Sequence, residues 1–302
     1  MRHTLTFCAA ALAAVASSAA LGTGWPALEL FVVAAAVILL GVPHGALDVV
    51  HAARRLPVDG PARWLLFTAG YVAVAAAVVG IWMVAPTLSL AAFLAISAFH
   101  FSGDLEGQPP VLLRALHGAS PIVLPALLHQ AELAKLFAML VPEAGAEVLA
   151  GGLATAAPVV LTVLGALLAV AAARRLTGRA SSVPVAAIAE AGAAAALTVL
   201  APPLTAFAVY FCVLHSARHV VRTGEVFQLP ARELARAAAL PTLATAAAAP
   251  VAFHLLDGAP VDARTLQVVF IGLAALTVPH MMLIEPLRLR GWRAQASERL
   301  SA

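Results

Sequence analysis

Two histidines four residues apart, His215 and His219, stand in the run Y-F-C-V-L-H-S-A-R-H and are the residues best spaced for metal chemistry. On an α-helix, residues i and i+4 share a face, so both imidazoles reach toward one point. Two further histidines carry an acid at the same spacing: His44 with Asp48, and His100 with Asp104. Neutral imidazole suits iron, zinc, copper or nickel, and the residues alone leave that choice open. The acids have three readings. They are acceptors for the imidazole N–H turned away from a metal, ligands in their own right, or markers of a helix–water boundary. The two cysteines, Cys8 and Cys212, lie far apart in apolar runs and suggest neither a disulfide framework nor a thiolate site.

These side chains must be positioned inside a membrane. Of 302 residues, 62% are apolar and 11% are charged, and the mean hydropathy is +0.96. That leaves too little charge to clothe a soluble surface. The expected fold is all-α, a polytopic transmembrane helix bundle of about 8–10 spans, at about 20 apolar residues per span. Apolar segments fall at roughly 5–22, 27–43, 63–84, 87–101, 111–128, 152–173, 183–200, 204–221, 237–255 and 265–284. Pro121 and Pro125 lie inside the fifth and should kink it. Residues 129–150, with Leu133, Leu136, Phe137 and Leu140, read as an amphipathic stretch along the outer interface or as a soluble cap. The chain is thus expected to be one integral-membrane domain over 1–302. Within it, 1–22 is a first helix or a signal peptide, 23–287 is the histidine-bearing bundle, and 288–302 is a basic cytoplasmic tail.

Charge gives the bundle a direction. With ten spans and both ends cytoplasmic, the cytoplasmic stretches hold Arg2, Arg54, Arg55, Arg63, Arg114, Arg174, Arg175, Arg179, Arg218, Arg222, Arg232, Arg236, Arg288, Arg290, Arg293 and Arg299. Only Arg264 and Lys135, the single lysine, face the other side. That is the positive-inside bias. The net charge of +3 therefore marks membrane edges, and no nucleic-acid partner is expected. The expected location is multi-pass in the cell's inner (plasma) membrane. On this map His44, His100, His215, His219 and His280 all fall at the cytoplasmic end, although they come from four different helices. Ionisable groups in spans are costly and normally face a partner or a cavity, so shared depth favours one metal site near the cytoplasmic face. His117 lies on the same side and is left open between a structural role and the site, while His3, His51, His129 and His254 read as wet interfacial side chains.

Four segments occur in order across residues 41–285: G-V-P-H-G-A-L-D (Gly41–Asp48), A-F-H-F-S-G-D (Ala98–Asp104), Y-F-C-V-L-H-S-A-R-H (Tyr210–His219) and T-V-P-H-M-M-L-I-E (Thr277–Glu285). Together they resemble the signature blocks of the Brp/Blh family of membrane-bound β-carotene 15,15'-dioxygenases. One departure is Ser102-Gly103, which stands where the family's glycine is expected directly after H-F. The resemblance implies a non-haem Fe(II) site that uses O₂ to cleave the central 15,15' double bond of β-carotene into two all-trans-retinal. It carries the iron ligands onto His44, His100, His215 and His219. His280 stands in reserve, as a further ligand, a pocket residue or plain structure. Phe99, Phe101, Tyr210, Phe211 and Met281 flank the ligands and become candidates for lining a carotenoid tunnel, with ordinary helix packing as the alternative. The implied partners are a carotenoid drawn from the lipid bilayer and O₂, with a rhodopsin as candidate recipient of retinal. The chain itself is not a retinal-carrying rhodopsin, because Lys135 falls outside the spans and cannot supply a Schiff base there.

The residues alone leave other classes open. A histidine-box lipid desaturase or hydroxylase would carry a denser set including H-x-x-H-H, which is absent. A metal or proton-coupled transporter would hold its histidines nearer the bilayer midplane than one end. A bis-histidine haem protein fits four convergent histidines less well than a bare metal does.

Overall fold

The computed structural model describes the backbone of residues 2–21, 26–107 and 109–300, and side chains for 2–20, 28–107 and 109–286. The side chains of the basic tail expected at 288–302 therefore lie outside the described residues. Among those residues there is helix and loop only, without a strand. Seven helices are long and apolar enough to cross a membrane: Arg2–Ala20, Leu28–Arg55, Pro61–Val84, Glu143–Leu176, Pro203–Phe227, Ala231–Leu255 and Val261–Pro286. The pair Val111–Val123 and Ala126–Ala138, bent by 53°, makes an eighth. Two shorter apolar helices, Pro86–Phe101 and Val185–Leu200, fill the places of the remaining expected segments. The all-α polytopic class is borne out.

In chain order, α1 is Arg2–Leu21 and α2 is Pro26–Ala36, which runs through a π-helical turn at Val37–Gly41 into α3, Val42–Ala46, and α4, Asp48–Arg55. Next come α5 (Pro61–Val84), α6 (Pro86–Phe101), α7 (Val111–Val123), α8 (Ala126–Ala138), α9 (Glu143–Leu176) and α10 (Val185–Leu200). Helix α11, Pro203–Val209, passes through a second π-helical turn, Tyr210–Ser216, into α12, Ala217–Phe227. Helices α13 (Ala231–Leu255) and α14 (Val261–Leu300) complete the bundle.

Proline punctuates this layout as its chemistry requires. Pro61, Pro86 and Pro203 open α5, α6 and α11 at positions where a missing N–H costs nothing. Pro121 and Pro125 flank the α7–α8 break, as the sequence led us to expect. Helix α9 differs from expectation: it starts at Glu143, nine residues before the apolar run at 152, and its 34 residues span about 51 Å. The residues expected to lie amphipathically at the outer interface instead pack inward, with Leu133, Phe137 and Leu140 buried in the main core. They turn inward because α8 packs against α9, which follows it after a short turn at 139–142.

Helices in lipid gain little from hiding apolar surface, so close approach through small residues does the packing. Ala187, Ala191 and Ala194 form a buried stripe on α10, which packs against α1, α7 and α9. Gly118 on α7 meets the last turn of α6: a Cβ there would sit 2.3 Å from the Ala98 carbonyl oxygen and 2.4 Å from the Ser102 nitrogen. Gly41 similarly admits the Phe211 ring, which would stand 2.5 Å from any Cβ. Through that contact the two π turns lie against each other. Large apolar side chains such as Leu65, Leu66 and Leu240 point outward, as lipid-facing residues do.

Candidate metal centre and its apolar cavity

The π turns set the position of the histidines. A π turn closes its hydrogen bonds from i to i+5, so residues five apart come to stand one turn above each other. In an α-helix they would be rotated apart by about 140°. Tyr210 and His215 are such a pair, and both reach Asp104. The Tyr210 hydroxyl donates to Asp104 Oδ2 at 3.0 Å, and His215 Nδ1 donates to the same carboxylate at 3.0–3.1 Å. The other π turn ends at Gly41, whose carbonyl accepts from His44 Nδ1.

His44, His100, His215 and His219 come together as expected, and all lie within the bundle. Ring centroids stand 5.1 Å apart for His44–His215, 5.6 Å for His44–His219 and 4.8 Å for His100–His215, mostly edge to face. His280 joins them, at 5.3 Å from His44 and 5.2 Å from both His100 and His219. Among the described residues, no three His, Cys, Asp or Glu side chains already have their donor atoms arranged to hold an ion. The chemistry of the donors nevertheless fits one. A carboxylate or carbonyl can only accept, so each engaged Nδ1 carries the proton and leaves Nε2 with its lone pair. The Nε2 atoms of His215, His219 and His280 are buried without a hydrogen-bond partner.

The carboxylates support histidines other than the ones their spacing suggested. Asp48 accepts from His280 Nδ1 at 2.8 Å, not from His44, and also takes the Tyr71 hydroxyl at 2.9 Å. Asp104 serves His215, while His100 Nδ1 pairs with Glu285 at 2.7 Å. The i, i+4 expectation failed for a local reason. Leu47 interrupts the helix between His44 and Asp48, and α6 stops at Phe101, before Asp104. Asp104 instead sits on a loop tucked into the bundle. Burial opposes its ionisation, but the neighbouring His215 ring with its hydrogen bond, His117 and Arg222 bring its pKa down to about 2. Arg222 donates to the Gly103 and Asp104 carbonyls at 2.8 and 3.0 Å. Arg218 donates to the Asp104 carbonyl and forms a buried two-pronged pair with Glu190, which also accepts from Thr4 at 2.7 Å.

His51 overturns its reading as a wet loop residue. Helix α4 continues past the apolar segment, burying His51 against Phe227 and within 5.5 Å of the His219 ring, with Thr223 Oγ1 3.2 Å from its Nε2. His117, left open by the sequence, is fully buried beside the cluster, and its Nε2 donates to the Tyr210 oxygen at 3.1 Å. His254 is exposed and His129 faces Glu132 at 3.4 Å. Glu285 closes the fourth quoted sequence block and was available as a signal, but only the fold pairs it with His100.

An almost wholly apolar cavity borders the histidines. His44, His100, His215 and His280 form its polar end, and Ser97 and Thr277 are its other polar side chains. Its walls include Phe93, Phe101, Phe137, Phe207, Phe211 and Phe270, together with Pro121 and Pro125 at the α7–α8 break. Leu266 and His280 both line it, so it extends about 21 Å along α14. Of the expected wall residues, Phe101 and Phe211 are present. Phe99, Tyr210 and Met281 are not on the wall. Tyr210 is turned to Asp104, and Phe99 and Met281 follow their helices away from the cavity.

The fold and site together define a polytopic helical membrane protein in which carboxylate-supported histidines close one end of an apolar cavity. The profile of the family described as "Beta-carotene 15,15'-dioxygenase" matches residues 35–288, and the chain belongs to that family. It is 31% identical over 273 residues to a protein of uncultured marine bacterium 66A03 named "Beta-carotene 15,15'-dioxygenase", covering 86% of this chain and 92% of that one. It is also 28% identical over 287 residues to the "Probable beta-carotene 15,15'-dioxygenase Blh" of Halobacterium salinarum, covering 83% and 81% respectively. No solved structure matches.

Proposed function

We propose that this chain cleaves the central 15,15' double bond of β-carotene with O₂, one oxygen atom ending in each of two all-trans-retinal molecules. In this reading His44, His100, His215 and His219 hold one Fe(II) by their Nε2 atoms. The observation that carries it is the junction of an imidazole cluster with a long apolar cavity. Neutral imidazoles leave the charge of the metal uncancelled, and the bound iron supplies the activation of O₂. The protein's own work is positioning. The phenylalanine walls seat a hydrocarbon polyene, the single polar end fixes which stretch of it meets the histidines, and the apolar lining keeps water out. Carotene already dissolves in the bilayer, so access is lateral, between helices. The positive-inside bias puts the site near the cytoplasmic face of the inner membrane, from which retinal passes to a rhodopsin or another apolar acceptor.

The test is expression in carotene-producing bacteria, with retinal and carotene separated by chromatography. Carotene should fall and retinal appear; a well-expressed, iron-loaded chain that leaves carotene untouched overturns the substrate. His215→Ala or His219→Ala should abolish retinal, and full activity in either overturns the site. Asp104→Asn is expected to weaken iron binding by about 10–100-fold, because the carboxylate behind His215 is replaced by an uncharged amide with a single acceptor oxygen for two donors. Competition with a chromophoric chelator on the purified protein measures this.

A further inference from the structure

We propose that His280 is a fifth imidazole ligand of this metal centre, held for the task by Asp48 and Tyr71. The proposal rests on the histidine-site reading above and extends it.

Three observations carry it. The first is closure. Ring contacts run from His44 to His215, to His100, to His280, to His219 and back to His44, at centroid separations of 4.8–5.6 Å. Take His280 away and the circuit is open between His100 and His219. The second is a repeated arrangement. His215 Nδ1 donates to Asp104, which accepts from the Tyr210 hydroxyl. His280 Nδ1 donates to Asp48, which accepts from the Tyr71 hydroxyl. The same three residue types, joined in the same order, support one histidine of the proposed four and the one outside it. The third is the free end. With Nδ1 protonated and held by Asp48, His280 Nε2 carries a lone pair, and it is buried without a hydrogen-bond partner. What sets this nitrogen apart is its place: the ring lies in the circuit of imidazoles and at the polar end of the cavity. Aspartate behind a ligating imidazole fixes the ring and raises its basicity, as outer partners of metal-bound histidines do.

The experiment uses the full-length chain purified in detergent and reads metal, not turnover. Co(II) is titrated into wild type, His280→Ala, His215→Ala and Asp48→Asn, recording the ligand-field absorption and the affinity, and iron content is measured by mass spectrometry. In His280→Ala the spectrum should change and the affinity should fall at least about tenfold. Exogenous imidazole should restore the spectrum, since His280 lines the cavity. Wild-type affinity and spectrum in His280→Ala, with His215→Ala impaired, overturn the fifth ligand alone. Wild-type behaviour in both variants overturns the histidine site as a whole. Should His280→Ala fail to fold, Asp48→Asn keeps the volume and the ring. There an affinity about 10–100-fold weaker supports the proposal, and an unchanged affinity overturns it.

Discussion

Glu190→Leu should destabilise the protein by about 3–5 kcal/mol, because it strands the Arg218 guanidinium inside the bundle without its counter-charge. Glu190 has no exposed surface, takes both prongs of Arg218 and accepts the Thr4 hydroxyl, so α1, α10 and α12 meet on it. Breaking a buried pair from one side costs far more than replacing both partners. The double variant Glu190→Leu with Arg218→Met is therefore expected to recover most of the stability. It should recover the position of the Asp104 loop less completely, because Arg218 shares with Arg222 the task of holding the Asp104 carbonyl. Thermal unfolding in detergent checks the first half, and metal affinity of the double variant checks the second. A Glu190→Leu protein that melts like the wild type would show that the pair contributes nothing.

The second large effect is expected from adding one methyl group. Gly118→Ala would place a carbon within 2.3–2.8 Å of three backbone atoms of Ala98 and Ser102. Backbone cannot rotate aside as a side chain can, so α7 and the last turn of α6 must separate. Overpacking of this kind costs about 1–3 kcal/mol. The larger consequence is chemical: the displaced turn carries His100, and a misplacement of about 1 Å can cost on the order of 100-fold in rate. Gly165→Ala on α9 is the control, since nothing lies within 4 Å of its Cβ position. Retinal formation and melting temperature should both fall in Gly118→Ala and stay level in Gly165→Ala. Equal behaviour of the two variants would sink the argument.

Much of the fold was legible because hydropathy counts residues and a bilayer demands a fixed number of them. Every expected apolar segment has a helix, and the α7–α8 break follows from Pro121 and Pro125. Segment ends were less legible. The early start of α9 and the continuation of α4 through His51 depend on packing among alanines, glycines and short polar residues that carry no hydropathy signal. For the site, the convergence of His44, His100, His215 and His219 could be read from shared depth and spacing. Their partners could not. Asp48 reaches His280 across 232 positions and Glu285 reaches His100 across 185, contacts that only the tertiary fold creates. The cavity was half legible: aromatic residues next to a ligand were easy to nominate, but which way each faces depends on helix rotation, and Tyr210 and Phe211 face opposite duties.

That rotation is where the second π turn matters most. A π turn is, in effect, one residue more than an α-helix needs, so a helical wheel drawn straight through 203–227 puts everything beyond it about 100° out of place. Deleting any one residue between 211 and 214 would leave composition, span length and the H-x-x-x-H spacing almost untouched. Yet the straightened helix would swing Tyr210 away from the carboxylate it shares with His215. In this bundle, the surplus residue acts as the hinge pin between a stretch that faces the cavity and one that faces the histidine cluster.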